Sequence, residues 1–282
     1  LRREVLRPAA LAALPRADVP PPRRPGRLVL LSSGRGGRPR HAHRSPPGTA
    51  AALPVTTLVR RLRIQRRAPL MILPPLHHPL GLSFMLVSLG LGGKAVVRDR
   101  FDPEATLAHL DDHEVETLVA LPRMLLRLAE TLGERPPPRS LRTIVSGGGP
   151  LLPAVWKRAT AAFGPIVHNL YGSVGVGWCT LATPNDLSVA PGTIGRPVSG
   201  VELSILDGDG KPVATNELGH VFVSSAAAAL DERRPPATRR EAVDTRDVGH
   251  HDEAGRLFVD ARAGNVRAVG GNPIFPGALE EV

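Results

Sequence analysis

Cysteine and aromatic residues are almost missing from this chain of 282 residues. The single cysteine, Cys179, excludes an internal disulfide and is typical of a reducing compartment. Aromatic residues make up 3% of the chain and hydrophobic residues 42%, so a core must be built from Leu, Val, Ala and Ile. We find no run of 18 apolar residues and no apolar core of a secretory signal near the start. We therefore expect a cytoplasmic protein without a transmembrane segment.

Acidic residues are scarce in the first quarter of the chain. Residues 1–70 contain 16 arginines but only Glu4 and Asp18 as acids, whereas residues 71–282 carry a net charge of −4. The formal charge of +10 is therefore local, and it accompanies abundant Ala, Gly and Pro, which indicates compositional drift. Patterns of nucleic-acid modules are absent, so nucleic acid is not the favoured partner. Binding of a polyanion through the Arg-rich part remains a third hypothesis.

The order of apolar segments predicts three regions. Residues 1–26 are rich in Pro and Arg, and we expect them to be poorly ordered. Residues 27–190 alternate strand-like and helix-like segments, which predicts a mostly parallel sheet flanked by helices. Residues 191–282 favour short strands and tight turns, a smaller β-rich subdomain. The residues from 226 to 245 are charged and weakly patterned, and we expect a loop there. The apolar segment 82–91 is nearly uncharged, and we expect a buried helix.

Three polar, glycine-rich turns follow predicted strands, at residues 32–37, 146–149 and 171–175. Ligands in open α/β sheets bind outside the carboxyl ends of the strands, so these turns could meet at one crevice. The first turn follows the apolar run 28–31 and offers backbone N–H groups, hydroxyls and arginines to an anion. A solvated surface loop explains the same residues, and each turn taken singly is more often structural.

Eight segments in order resemble the motifs of the adenylate-forming (AMP-binding) enzymes, most closely the fatty-acid acyl-CoA synthetases. The clearest are the phosphate loop (LLSSGRGGRPRHA), the SGGGPL turn, NLYGS and TRDVG. In sequence order the eight are residues 30–42, 74–81, 146–151, 169–173, 191–197, 245–249, 256–262 and 270–276. The resemblance implies a large-domain fragment of the adenylate-forming fold, truncated and divergent, which ends near the hinge and lacks the C-terminal lid domain.

The chemistry implied by this resemblance has two steps in one site. A carboxylate, here a fatty acid, attacks the α-phosphate of ATP, and coenzyme A then takes the acyl group from the adenylate. Arg40 and His78 occupy catalytic positions. The nucleotide-binding positions are Ser32, Ser33, Gly34, Gly37, Gly147, Gly148, Gly149, Asn169, Tyr171, Gly172, Ser173, Asp247 and Arg262. Small molecules (fatty acid, ATP or AMP, and CoA) are the implied partners.

Several reactive positions depart from the family pattern. Arg40 stands where the family has lysine, and Arg246 stands where it has glycine. Gly175 replaces the glutamate that binds Mg²⁺, so no metal-binding residue is predicted, and adjacent histidines such as His250 and His251 do not predict a zinc site. These departures support a second hypothesis, a non-enzymatic remnant that still binds a nucleotide or an acyl ligand.

Overall fold

The computed structural model describes residues 28–32, 40–44, 52–225, 242–262, 267–269 and 272–274. The helices of this part are α1 (Ala52–Arg61), α2 (Pro79–Gly90), α3 (Pro103–Asp112), α4 (Pro122–Leu132), α5 (Pro153–Phe163) and α6 (Pro184–Val189). The strands before residue 190 are β1 (Leu28–Ser32), β2 (Arg40–Arg44), β3 (Leu70–Ile72), β4 (Ala95–Val97), β5 (Thr117–Ala120), β6 (Thr143–Gly147), β7 (Val167–Ser173) and β8 (Gly177–Ala182). Those after it are β9 (Arg196–Pro197), β10 (Val201–Leu206), β11 (Gly219–Ser225), β12 (Val243–His251), β13 (Leu257–Arg262), β14 (Arg267–Val269) and β15 (Asn272–Ile274).

A seven-stranded sheet has the order β4-β3-β5-β6-β7-β8-β9. Strands β3 to β7 are parallel, and β8 and β9 add antiparallel pairs at one edge. The predicted parallel sheet with flanking helices is thus confirmed, and the antiparallel edge is an addition. Prolines begin five of the helices, α2 to α6, because the first helical position needs no N–H donor. At the start of α3, Asp102 is the N-cap and accepts a hydrogen bond from the Ala105 N–H at 2.8 Å.

Two apolar clusters cover the two faces of this sheet. One contains the buried residues of α3, α4 and α5, where Leu125, Leu128 and Leu132 repeat at helical spacing. The other joins α1 and α2 to the four-stranded antiparallel sheet β10-β11-β12-β13. The predicted β-rich region is therefore present, and it shares a core with the parallel sheet.

The loop predicted at residues 226–245 is wrong at its C-terminal end. The segment 226–245 was expected to lack strands, but β12 begins at Val243 and continues to His251. Its residues are mostly polar, so no apolar alternation marks it. The strand forms because β11 and β13 pair with its backbone on both sides.

The prediction that the apolar segment 82–91 is a buried helix is also wrong for one face of that helix. The helix α2 forms, and Phe84 and Val87 are buried, but Leu86 is 55% exposed and Leu89 is 61% exposed. Composition alone could not assign a solvent side because α2 is apolar all round.

No described helix is both long and apolar enough to cross a membrane. The strand at 28–31 is confirmed as β1, which pairs antiparallel with β2, whereas residues 1–26 lie outside the described residues.

Candidate functional site

The strand order creates a topological switch point between β3 and β5. The chain leaves β3 for β4 on one side and then returns across β3 to β5 on the other side. In open α/β sheets a crevice forms at this point, outside the carboxyl ends of the strands. The segments that follow β3, β5 and β6 should therefore lie close together.

Contacts around Gly148 show this convergence. Gly148 follows β6 with a φ of +75°, and a Cβ atom built there would lie 2.9 Å from His78 Cε1 and 3.0 Å from Leu121 Cδ2. His78 follows β3 and Leu121 follows β5. A side chain at position 148 would be strained by the positive φ and would collide with the His78 ring. Glycine is therefore required there. Two of the eight family-like segments, 74–81 and 146–151, are thus in direct contact.

His78 has a structural role besides its place in the crevice. It is the N-cap of α2, and its Nδ1 accepts a hydrogen bond from the Leu80 N–H at 3.2 Å. Burial, with a smaller effect from the neighbouring His77, lowers the pKa of His78 below its usual value. The lowered pKa favours the neutral form of the ring, and its Nε2 edge lies beside Gly148.

Tyr171 and Asp247 meet across the two sheets. The Tyr171 hydroxyl donates a hydrogen bond to Asp247 Oδ2 at 2.5 Å, although the residues are 76 positions apart. Asp247 is only 4% exposed. Burial, followed by the charge of Asp247, raises the pKa of Tyr171 well above its usual value. A buried carboxylate with a donor beside it can exchange that donor for a ligand hydroxyl.

An irregularity in β12 positions Asp247. Phe222 pairs with Asp244 and His220 pairs with Val248, so β12 carries extra residues opposite β11. The Thr245 hydroxyl donates to the Val221 carbonyl at 2.8 Å, and the Arg246 N–H donates to Asp244 Oδ1 at 2.7 Å. Bulges of this kind often lie beside functional sites, where they redirect a side chain.

Arg246 adopts a left-handed backbone conformation with a φ of +63°. Glycine adopts this conformation without steric cost, whereas a residue with a Cβ pays about 1 kcal/mol or more. The departure from the family pattern at Arg246 therefore falls where the backbone itself favours glycine. Asp244, which holds this turn, was missed at the sequence level. The Asp-x-Arg hydrogen-bonded turn was the available signal.

Other predicted nucleotide-binding residues have backbone partners or tight packing. Asn169 is buried, and its amide donates to the Thr193 carbonyl at 3.1 Å. A Cβ on Gly147 would lie 2.8 Å from the Leu170 carbonyl oxygen, and one on Gly172 would collide with the Gly177 backbone. Asn169, Gly147 and Gly172 thus support the crevice walls. Gly149 has room around it, with Pro122 as the neighbour at 3.7 Å.

Position 175 bears on magnesium binding. A Cβ on Gly175 would have Ser173 Oγ at 3.8 Å as its neighbour, and Gly175 does not have a left-handed φ. Ser173 supplies a hydroxyl, but no carboxylate lies in this turn. The described residues contain no group of three His, Cys, Asp or Glu side chains that could hold a metal. The turn at position 175 therefore lacks the carboxylate oxygen through which proteins commonly hold Mg²⁺.

Part of the predicted site lies outside the described side chains. Ser33, Gly34 and Gly37 are outside the described residues, while Ser32, Arg40 and Arg262 are described as strand backbone only. Ser32 and Arg40 are partners in the β1–β2 register, so the ends of the predicted phosphate loop lie side by side. Cys179 is fully buried, as expected for a small apolar residue.

Comparisons with known proteins agree with this geometry. The model of the family described as AMP-binding enzyme matches residues 12–230. The 2-succinylbenzoate–CoA ligase of Bacillus cytotoxicus is 30% identical over 215 residues, which are 74% of this chain and 44% of the ligase. The medium/long-chain-fatty-acid–CoA ligase FadD8 of Mycobacterium tuberculosis is 26% identical over 276 residues, 94% of this chain and 47% of that protein.

A solved structure has the same fold. O-succinylbenzoate coenzyme A synthetase of Bacillus subtilis in complex with AMP superposes with a TM-score of 0.79 at 25% identity, covering 90% of this chain and 53% of the synthetase. The chain thus spans about half the length of the relatives it matches. Because the family model matches well over half of the chain, the chain belongs to the adenylate-forming AMP-binding enzyme family.

Proposed function

We propose that this chain supplies the nucleotide-binding part of an acid–thiol ligase, which activates a carboxylic acid as its adenylate and transfers the acyl group to coenzyme A. The observation that carries the proposal is the Tyr171–Asp247 pair, a buried carboxylate held at the end of β7. A ribose diol presents two hydroxyl donors and can replace the phenol on Asp247.

The described residues suggest which part of the substrates each side chain binds. Asp247 binds the ribose, the Tyr171 ring lies along the adenine, and the turn 147–149 bounds the crevice. Neutral His78 and apolar Leu121, which both contact Gly148, border the acyl group. The motif resemblance assigns Arg40 to neutralise the phosphates and the hydroxyls of Ser32 and Ser33 to hydrogen-bond their oxygens. The protein's contribution is thus to orient the reactants and stabilise charge, because phosphoryl chemistry demands little covalent participation.

The acid is either a fatty acid or a smaller aromatic acid such as 2-succinylbenzoate. A fatty acid fits the motif resemblance and the relative named for medium and long chains. 2-Succinylbenzoate fits the relative at 30% identity. The second candidate function is a non-enzymatic remnant that keeps the adenylate pocket, and Gly175, without an oxygen ligand for Mg²⁺, favours it.

Thermal unfolding with non-hydrolysable acyl-sulfamoyl adenosines tests the proposal. At 100 times its dissociation constant a ligand of the folded state adds about 2.7 kcal/mol, and the midpoint rises by several degrees. Asp247→Asn should abolish the rise, whereas Asp112→Asn, an exposed carboxylate at the end of α3, should leave it intact. The larger shift of the fatty-acyl or the 2-succinylbenzoyl mimic identifies the acid. Binding without acid-dependent pyrophosphate release from ATP favours the remnant, and no shift in a cooperatively folded chain contradicts both.

A further inference from the structure

Five exposed arginines surround the C-terminal end of α1, namely Arg60, Arg61, Arg63, Arg66 and Arg67. The sequence has no Asp or Glu between Asp18 and Asp99. Within the part of the chain that the structure describes, no carboxylate lies within 4 Å of any of the five. Arg60 and Arg61 complement the dipole of α1, but the other three lie beyond the helix. This positive charge is available to an external anion.

A groove of about 380 Å³ lies beside this run, and each of its four described lining residues carries a hydrogen-bond donor. Thr57, Arg60 and Arg61 line it from α1, and Ser199 lines it from the β9–β10 connection. Arg61 Nη1 donates to the Pro197 carbonyl at 3.4 Å, which links the two walls. The described lining residues offer two guanidinium groups and two hydroxyls, and none of these four residues is a carboxylate.

This set of donors selects a class of ligand. Guanidinium groups bind phosphate oxygens in a bidentate manner, and hydroxyls donate to the same oxygens. None of the four described lining residues has the large apolar side chain that an acyl chain needs or an aromatic ring on which single-stranded nucleic acid stacks. We propose that the groove between α1 and the β9–β10 connection binds a small phosphate-bearing anion. None of its four residues belongs to the adenylate site, so the proposal does not rest on the ligase function.

Amide NMR spectra during titration with inorganic pyrophosphate test this site. Saturable shifts are expected at the backbone amides of Thr57 and Ser199. The Arg60→Gln/Arg61→Gln variant should bind pyrophosphate at this groove at least tenfold more weakly, and because both side chains are exposed it should keep the unfolding midpoint. Lys157→Gln/Arg158→Gln removes the same charge from exposed positions on α5 and should change affinity less than twofold. Asp247→Asn should also change it less than twofold, which separates the groove from the adenylate site.

A lipid headgroup and a soluble phosphate offer the same chemistry. Sedimentation with phosphatidylglycerol vesicles that pyrophosphate reverses supports the groove with a lipid as source, whereas shifts without sedimentation support it with a soluble anion. The proposal is overturned if Thr57 and Ser199 show no saturable shift or if both double variants lose affinity equally. Binding of a single-stranded oligonucleotide that pyrophosphate does not displace also overturns it, because it assigns the arginines to a nucleic acid.

Discussion

Individual residues in the candidate site match the family pattern at some positions and depart from it at others. Tyr171 and Asp247, the two residues to which the proposed function assigns the nucleoside, are in contact with each other. Arg246, directly before Asp247, keeps the left-handed backbone of a glycine without being one. At this position the backbone conformation is the one that glycine favours, while the side chain is not glycine's.

Replacing Arg246 with glycine should stabilise the protein. The left-handed conformation costs a residue with a Cβ about 1 kcal/mol, so Arg246→Gly is expected to raise the free energy of unfolding by about that amount in urea denaturation. Asn216 has a φ of +65°, but asparagine tolerates this region. Asn216→Gly is the matched control and should gain less. A destabilised Arg246→Gly variant would mean that the arginine side chain holds the bulge.

Tyr171 is the only tyrosine of the chain, so its ionisation can be measured without interference from another phenol. Burial beside Asp247 raises its pKa in the folded state, whereas an unfolded tyrosine has a pKa of about 10. Its contribution to stability is therefore fully present below pH 10 and is lost as the pH rises above that value. We expect little tyrosinate absorbance at 295 nm in folded protein at pH 10.5, and about three-quarters of the full signal in denaturant. Equal titration curves would show that the phenol is not held by Asp247.

A glutamate at position 175 should introduce magnesium dependence. Gly175 has ordinary van der Waals space around it, so a longer side chain fits without backbone strain. In Gly175→Glu, Mg²⁺ is expected to enlarge the rise in unfolding midpoint caused by ATP, because the carboxylate supplies the missing oxygen ligand. Gly175→Gln has the same length without the charge and should show no such gain. Equal effects of Mg²⁺ on both variants would remove position 175 from the phosphate site.

Among the elements, α2 has the least usual surface. It connects β3 to the edge strand β4, begins at the cap His78 and exposes two leucines in its second half. Helices that are apolar all round are normally enclosed on all sides. Its inner face packs beside the crevice, while Leu86 and Leu89 on its outer face are mostly exposed.

The two sides of α2 should therefore respond differently to polar substitution. Leu86→Gln/Leu89→Gln is expected to reduce binding of a hydrophobic fluorescent dye and to leave the unfolding midpoint nearly unchanged. Leu80→Gln, at a position that is 6% exposed, should lower the free energy of unfolding by about 2–5 kcal/mol. A comparable loss in both variants, measured by urea denaturation, would contradict the exposed outer face.

At the scale of the whole molecule, the parallel and antiparallel sheets are held together around Leu257. The Ile194 N–H donates to the Leu257 carbonyl at 2.8 Å, and the Leu257 N–H donates to the Gly195 carbonyl at 2.9 Å. Its side chain is 2% exposed and belongs to the cluster shared by both sheets. The division near residue 190 is thus a change of architecture within a continuous core.

Calorimetry should accordingly show one transition for the described fold, with equal calorimetric and van't Hoff enthalpies. Leu257→Ala is expected to lower the free energy of unfolding by about 2–5 kcal/mol without splitting the transition. Two resolved transitions would contradict this expectation. So would a Leu257→Ala variant in which residues 27–190 or residues 191–282 melt alone, because the two regions would then be separate folding units.

The sequence predicted most of the parallel sheet because its strands and helices carry strong apolar periodicity. The alternation predicted for residues 27–190 corresponds to the strands β3 to β7 and the helices α2 to α5 between them. Strand β12 was missed because neighbouring backbones, and not its own side chains, stabilise it. Motif resemblance predicted Tyr171 and Asp247 as site residues. Their hydrogen bond depends on a bulge in β12, which the spacing of apolar residues does not predict.

The strand order also determines how the seven-stranded sheet can assemble during synthesis. Strand β4 joins one edge of β3, β5 joins the other edge, and β6, β7, β8 and β9 each extend the edge formed by the strand before it. No strand has to enter between two that are already paired. Translation adds residues in this same order and more slowly than secondary structure forms. The sheet can therefore grow as the chain leaves the ribosome, because β4 already occupies one edge of β3 and each later strand pairs at the opposite edge of the sheet.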